Sequence, residues 1–148
     1  MTTNKTTQQS GYETFEHGAD VGIRGWGASL GEAFAQGARA MFSLMCDDIA
    51  QVSPASSVKV AIAASEPDLM FLIWLNQLLA ESDLEGILFC DFQLSLTDQG
   101  RLEALVSGEP FADLHTDRGI EVKGATFTEL QVHELKDGSW VAQCVVDV

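Results

Sequence analysis

Phe15-Glu16-His17-Gly18-Ala19-Asp20-Val21-Gly22-Ile23-Arg24-Gly25-Trp26-Gly27 is the stretch on which the reading of this chain turns. Glycines at 18, 22, 25 and 27 stand between two runs in which apolar and polar residues alternate. Glycine tolerates positive φ and lets a second backbone come close, so a strand can end, bend and restart within this segment. The alternation predicts one strand over Tyr12–His17 and a second over Val21–Gly27. The second carries Val21 and Ile23 on one face and Arg24 and Trp26 on the other. His17 and Asp20 are the titratable pair at the bend. A carboxylate there can be turned toward a cation, or it can accept a hydrogen bond from its own turn. His17 can be a ligand or a satisfied histidine at a strand end. The residues leave both alternatives open.

Further along, Ser29-Leu30-Gly31-Glu32 is a capping-box sequence. Leu30, Phe34, Met41 and Met45, with Ala33, Ala38 and Phe42, recur behind it at helical spacing, which predicts a helix over about residues 30–45 whose Met and Phe stripe belongs to the core. Asp47 and Asp48 follow it, poorly placed for the helix dipole. A strand over 58–62 comes next. Ser65-Glu66-Pro67-Asp68 predicts a serine-capped second helix with proline in its first turn. From Leu69 to Leu84 this helix is apolar on nearly all sides, so it is expected to be the most buried element, with Asn76 a buried polar group in need of a partner. Gly86 should stop it.

The remainder is rich in strand signals. A strand over 88–96 turns at Asp98-Gln99-Gly100 into another over 101–107. An irregular segment over 108–118 holds His115, Asp117 and Arg118. A strand over 120–127 carries Glu121 and Lys123. Two more, over 129–135 and 140–148, are joined at Asp137-Gly138, a strong hairpin signal. A strand running to the final residue would place the Val148 main-chain carboxylate at a sheet end, beside Asp147, where it can act as a ligand. The alternative for Asp147 is an exposed edge acid. The expected architecture is α+β, two helices packed on a mostly antiparallel β-sheet, a single domain over residues 12–148 preceded by a flexible N-terminal tail over residues 1–11.

Composition narrows the function classes. The 148 residues suffice for a core without metal or disulfide support. Eight basic against 22 acidic residues give a net charge of −14, which argues against a phosphate-binding surface and so against direct nucleic-acid binding. Such a surface suits divalent cations or a basic patch on another protein. Cys46, Cys90 and Cys144 lack metal-ligand or disulfide spacing and read as buried reduced thiols. The Thr- and Gln-rich start lacks the apolar stretch of a signal peptide, and the apolar run from Leu69 to Ala80 is too short to span a membrane, so a cytoplasmic protein is expected. There is no glycine-rich phosphate loop and no nucleophile with a base at recognisable spacing, which leaves a small hydrolase poorly supported.

His17-Gly18-Ala19-Asp20-Val21-Gly22, Trp74-Leu75-Asn76-Gln77-Leu78-Leu79, Gly108-Glu109-Pro110-Phe111, Glu121-Val122-Lys123-Gly124-Ala125-Thr126 and Val146-Asp147-Val148 occur in this order. Together they resemble the archease family from about Tyr12 to Val148. The chain departs from the family pattern at Gly18, where threonine is usual, and at Thr128, where histidine is usual. The resemblance implies a non-enzymatic activator of an RtcB-type RNA ligase, promoting its guanylylation and multiple turnover in tRNA splicing or RNA repair. It implies a divalent cation, Ca²⁺ first and Mg²⁺ or Mn²⁺ as alternatives, held by Asp20, Asp147 and Val148. These are hard oxygen donors of the kind such ions take. His17, His115, Glu121 and Lys123 are candidate partner contacts. The competing expectation is a chaperone-like adaptor acting on an RNA-modifying enzyme such as a tRNA methyltransferase.

Overall fold

Gly18 and Ala19 turn the chain between β1 (Gly11–His17) and β2 (Asp20–Gly27), which pair antiparallel with His17 opposite Asp20. Gly18 has φ +61 while Ala19 stays negative, the pattern of a tight hairpin turn with glycine at its first central residue. These assignments come from a computed structural model of the chain, which describes residues 9–148. Residues 1–8 of the expected tail lie outside the described residues.

The capping sequence starts α1 (Leu30–Ser43) as read, with the Glu32 N–H donating to Ser29 Oγ at 3.1 Å. Helix α1 lies directly on the main chain of β2. A Cβ at Gly25 would sit 2.1 Å from Gly37 N and 2.6 Å from Ala33 O, so only glycine permits this contact. Phe34, Ala38, Met41 and Phe42 are fully buried, and burying a side chain such as Phe or Met contributes roughly 1.5–3 kcal/mol. Asp48, which had no evident role after the helix, caps the short 3₁₀ turn Ile49–Gln51, accepting from Ala50 N–H at 3.1 Å.

Next come β3 (Ser56–Ala63) and α2 (Pro67–Glu85). The cap of α2 is Glu66, not Ser65, and no side chain bonds the first turn. Pro67 at its start removes one of the N–H groups a cap would serve. Nor is α2 the most buried element. Leu84 is 75% exposed, and Asn76, Ala80 and Asp83 face solvent, because α2 covers the assembly from outside while α1 is enclosed by β2 and β8 on one side and β4 on the other. Although apolar residues run all round α2, one face is buried, that of Phe71, Trp74, Leu75, Leu78 and Ser82. Trp74 fixes its seat, donating from Nε1 to Phe34 O at 3.0 Å from a fully buried position. Gly86 ends the helix in the left-handed conformation, as expected.

The strands β4 (Ile87–Leu96), β5 (Arg101–Pro110), β6 (Gly124–Ala125), β7 (Gln131–Glu134) and β8 (Trp140–Asp147) complete the chain. They form two antiparallel sheets, β1-β2-β8-β6 with β7 also on β8, and β3-β5-β4. The chain is thus α+β, two helices with antiparallel sheets. Residues 108–110 continue β5 rather than opening a loop, since Glu109 pairs with Leu88 and Pro110 with Ile87. The strand expected over 120–127 shrinks to Gly124–Ala125. Its first part spends its main-chain hydrogen bonds elsewhere. Gly119 N–H and Ile120 N–H donate to Met45 O and Leu44 O, each at 2.9 Å, and so satisfy carbonyls left open beyond the end of α1. Cys46, Cys90 and Cys144 are buried and unbridged. Among the described residues no helix is long and apolar enough to cross a membrane.

Candidate functional site

Val21 pairs with Val146, so continuing the β2–β8 register by one residue sets Asp20 opposite Asp147. Ala142, Cys144 and Val146 belong to the core, which puts the alternate residues of β8, Asp147 included, on the outer face. The Asp20 side chain does not close its own turn. Its Oδ1 accepts from Val148 N–H at 3.3 Å. His17 stands across the hairpin from Asp20. One end of the larger sheet therefore gathers His17, Asp20, Asp147 and Val148 from three strands.

Among the described residues neither Asp20 nor Asp147 takes part in a salt bridge. Asp20 is half-buried and Asp147 exposed. Among the described residues no group of three or more His, Cys, Asp or Glu side chains lies close enough to hold a metal ion. Two acids facing each other across the strand pair without a basic partner repel one another.

Glu121 and Lys123 lie elsewhere, on the rim of a cleft of about 690 Å³ between α2 and residues 118–123. The two regions are joined through the main chain, since Lys123 N–H donates to Asp147 O at 2.8 Å. Arg118 also lines the cleft, its guanidinium 4.1 Å from the centre of the Phe111 ring. Loop spacing carries no signal for that pairing. His115 is exposed beyond the 3₁₀ turn Phe111–Asp113 and does not line the cleft.

Asn76 is exposed, not buried, yet both ends of its amide are used. Nδ2 donates to Ala125 O at 3.1 Å and Oδ1 accepts from Ala125 N–H at 2.9 Å. The side chain acts as a strand partner for β6 and holds it against α2. A polar residue within an apolar helix signals a needed partner, and because α2 lies on the outside of the assembly that partner is met at the surface.

The model of the Archease protein family matches residues 12–148, nearly the whole chain. The chain belongs to the archease family. Protein archease of Thermococcus gammatolerans is 34% identical over 140 residues, covering 93% of this chain and 98% of the relative. The solution structure of Methanobacterium thermoautotrophicum protein 1598 superposes with a TM-score of 0.81 at 31% identity, covering 93% of this chain and 99% of that one. A crystal structure of a Thermotoga maritima archease, described as a possible chaperone, superposes with a TM-score of 0.61 at 17% identity and shares 92% and 96% of the two chains, a likeness of archease fold alone. The archease match takes in the hairpin bearing Asp20 and the strand bearing Asp147.

Proposed function

We propose that this archease-family protein is a non-enzymatic activator of an RtcB-type RNA ligase, promoting guanylylation of the ligase and hence repeated turnover in tRNA splicing or RNA repair. The observation that carries the reading is the meeting of Asp20, Asp147 and Val148 at one sheet end in a chain of this family. Asp20, Asp147 and the Val148 carboxylate would hold a divalent cation, Ca²⁺ before Mg²⁺ or Mn²⁺. When bound it supplies a compact positive charge on an otherwise acidic surface. The acidic protein is steered toward the basic RNA-binding cleft of the ligase. The Val148 N–H holds the Asp20 carboxylate in place.

The test is a ligation time course with a catalytic amount of the cognate ligase, GTP and Mn²⁺, with and without this protein. A version extended beyond Val148 serves as comparison. Restored turnover with the native chain supports activation, and its loss on extension supports the terminal donor. No restoration by either chain overturns the reading.

A second reading, a chaperone-like adaptor for an RNA-modifying enzyme such as a tRNA methyltransferase, draws on the description of the Thermotoga maritima protein and on exposed apolar residues such as Leu84. It requires that neutralising both Asp20 and Asp147 leave activity intact.

A further inference from the structure

Phe127 is 73% exposed, and of the eight phenylalanines it is the one in the exposed class. An isolated exposed apolar residue is ordinary on a protein surface. The backbone that presents this one is not. Leu130 N–H donates to Phe127 O at 3.2 Å, closing a turn, and Glu129 within it has φ 57, the left-handed region that side chains other than glycine seldom enter. Such a conformation persists only where its surroundings impose it.

Those surroundings can be named. Gln143, only 7% exposed, donates from Nε2 to Glu129 O at 3.1 Å, and its Oε1 accepts from Arg24 Nε at 2.9 Å. Arg24 in turn pairs with Glu13 and lies 4.6 Å from the centre of the Phe15 ring. Two main-chain bonds fix the other side of the turn. Val145 N–H donates to Thr128 O at 2.9 Å, and Thr126 N–H donates to Val145 O at 3.0 Å. The turn is therefore held at three points by β8, with Gln143 itself braced by Arg24 of β2, while its aromatic ring has no cover.

Val145 pairs with Gly22, whose missing side chain leaves room for the Phe15 ring, and it stands two residues from Asp147, about 7 Å along the strand. Val145 is buried and Phe15 half-buried against the Arg24 guanidinium, so the Phe127 ring is the apolar group left open here, with Asp20 and Asp147 each two residues along the strands from the Gly22–Val145 pair and Glu129 on the turn itself.

We propose that Phe127 is the anchor of a protein-docking surface whose partner offers an apolar pocket for one aromatic ring and basic groups on the pocket rim. A rigidly presented aromatic loses little freedom on insertion, which is what makes such residues dominant in interfaces. The surrounding acids choose a basic rim and disfavour a phosphate backbone. The inference rests on the reading above, that the protein works by binding another protein.

The experiment measures affinity for the purified RtcB-type ligase by calorimetry, alongside thermal stability and sedimentation. Phe127→Ala should weaken binding about tenfold or more with its melting temperature unchanged, and Phe127→Trp should restore affinity to within a few-fold. Wild-type affinity in Phe127→Ala overturns the docking role and leaves the activator reading standing. Failure of the unaltered chain to bind the ligase overturns the activator reading and the docking role with it. If the unaltered chain instead self-associates and Phe127→Ala abolishes that, the occupant is a second copy, and the basic-rimmed partner is overturned.

Discussion

The carboxylate of Asp20 accepts a hydrogen bond from the main-chain N–H of Val148, joining positions 128 residues apart. Asp20→Asn keeps an acceptor at this point and removes the charge. Its fold should survive, with a melting temperature within a few degrees of the unaltered protein. If the proposed cation binds there, Ca²⁺ at about a hundred times its dissociation constant stabilises the unaltered chain by about 2.7 kcal/mol. For a domain of this size that corresponds to several degrees. The rise should vanish on adding a chelator and be absent from Asp20→Asn. Equal Ca²⁺-dependent rises in the two proteins would exclude Asp20 as a ligand.

Gly25→Ala is predicted to be among the most damaging small substitutions. The new methyl would meet Gly37 N at 2.1 Å and Ala33 O at 2.6 Å, main-chain atoms of α1 that cannot step aside without separating α1 from β2. Overpacking of a core commonly costs 1–3 kcal/mol and here should reach about 3 kcal/mol or more. Denaturant unfolding would show it as a lower midpoint, and an unchanged midpoint would contradict the helix-on-strand contact.

Asn76→Ala removes both hydrogen bonds to Ala125. The site is exposed, so water replaces the lost partners and the stability cost should stay near 1–2 kcal/mol. The sharper effect should be local. Amide exchange at Ala125 should rise by more than that at core residues such as Cys144, because a two-residue strand has little else to hold it. Uniform changes across the chain would reject the strand-partner role.

Local chemistry made much of this legible. The glycine-rich bend, the Ser29 cap, the Gly86 stop and the turns at Gly100 and Gly138 all follow from short-range rules, and each lies where those rules place it. Readings failed where distant partners decided the outcome. The segment 120–127 reads as a strand, but its start bonds the end of α1 through Ile120, and the apolar surface of α2 cannot reveal that α1 occupies the enclosed position. In the candidate site, Asp20 and Asp147 stood out as acids at a bend and a strand end, whereas their juxtaposition depends on the β2–β8 register. The hold of Gln143 on Glu129 has no sequence signature at all.

Burial pushes the Cys144 thiol from an ordinary value of 9.0 up to about 12. Cys46 and Cys90 are also raised, chiefly by burial. The sign of the pH dependence follows. Below pH 9 both folded and unfolded thiols keep their protons and the full contribution is present. Above it the unfolded chain loses the proton first, so stability falls as the pH rises toward 12. Three units at Cys144 amount to about 4 kcal/mol over that window, a large share of an ordinary domain's stability. Unfolding at a series of alkaline pH values should therefore show a steep decline in the unaltered protein. Cys144→Ala starts from lower stability because of the cavity it leaves, but its decline between pH 9 and pH 11 should be shallower. The slope, not the absolute stability, is the quantity that decides, and equal slopes would mean that Cys144 ionises as freely in the folded chain as in the unfolded one.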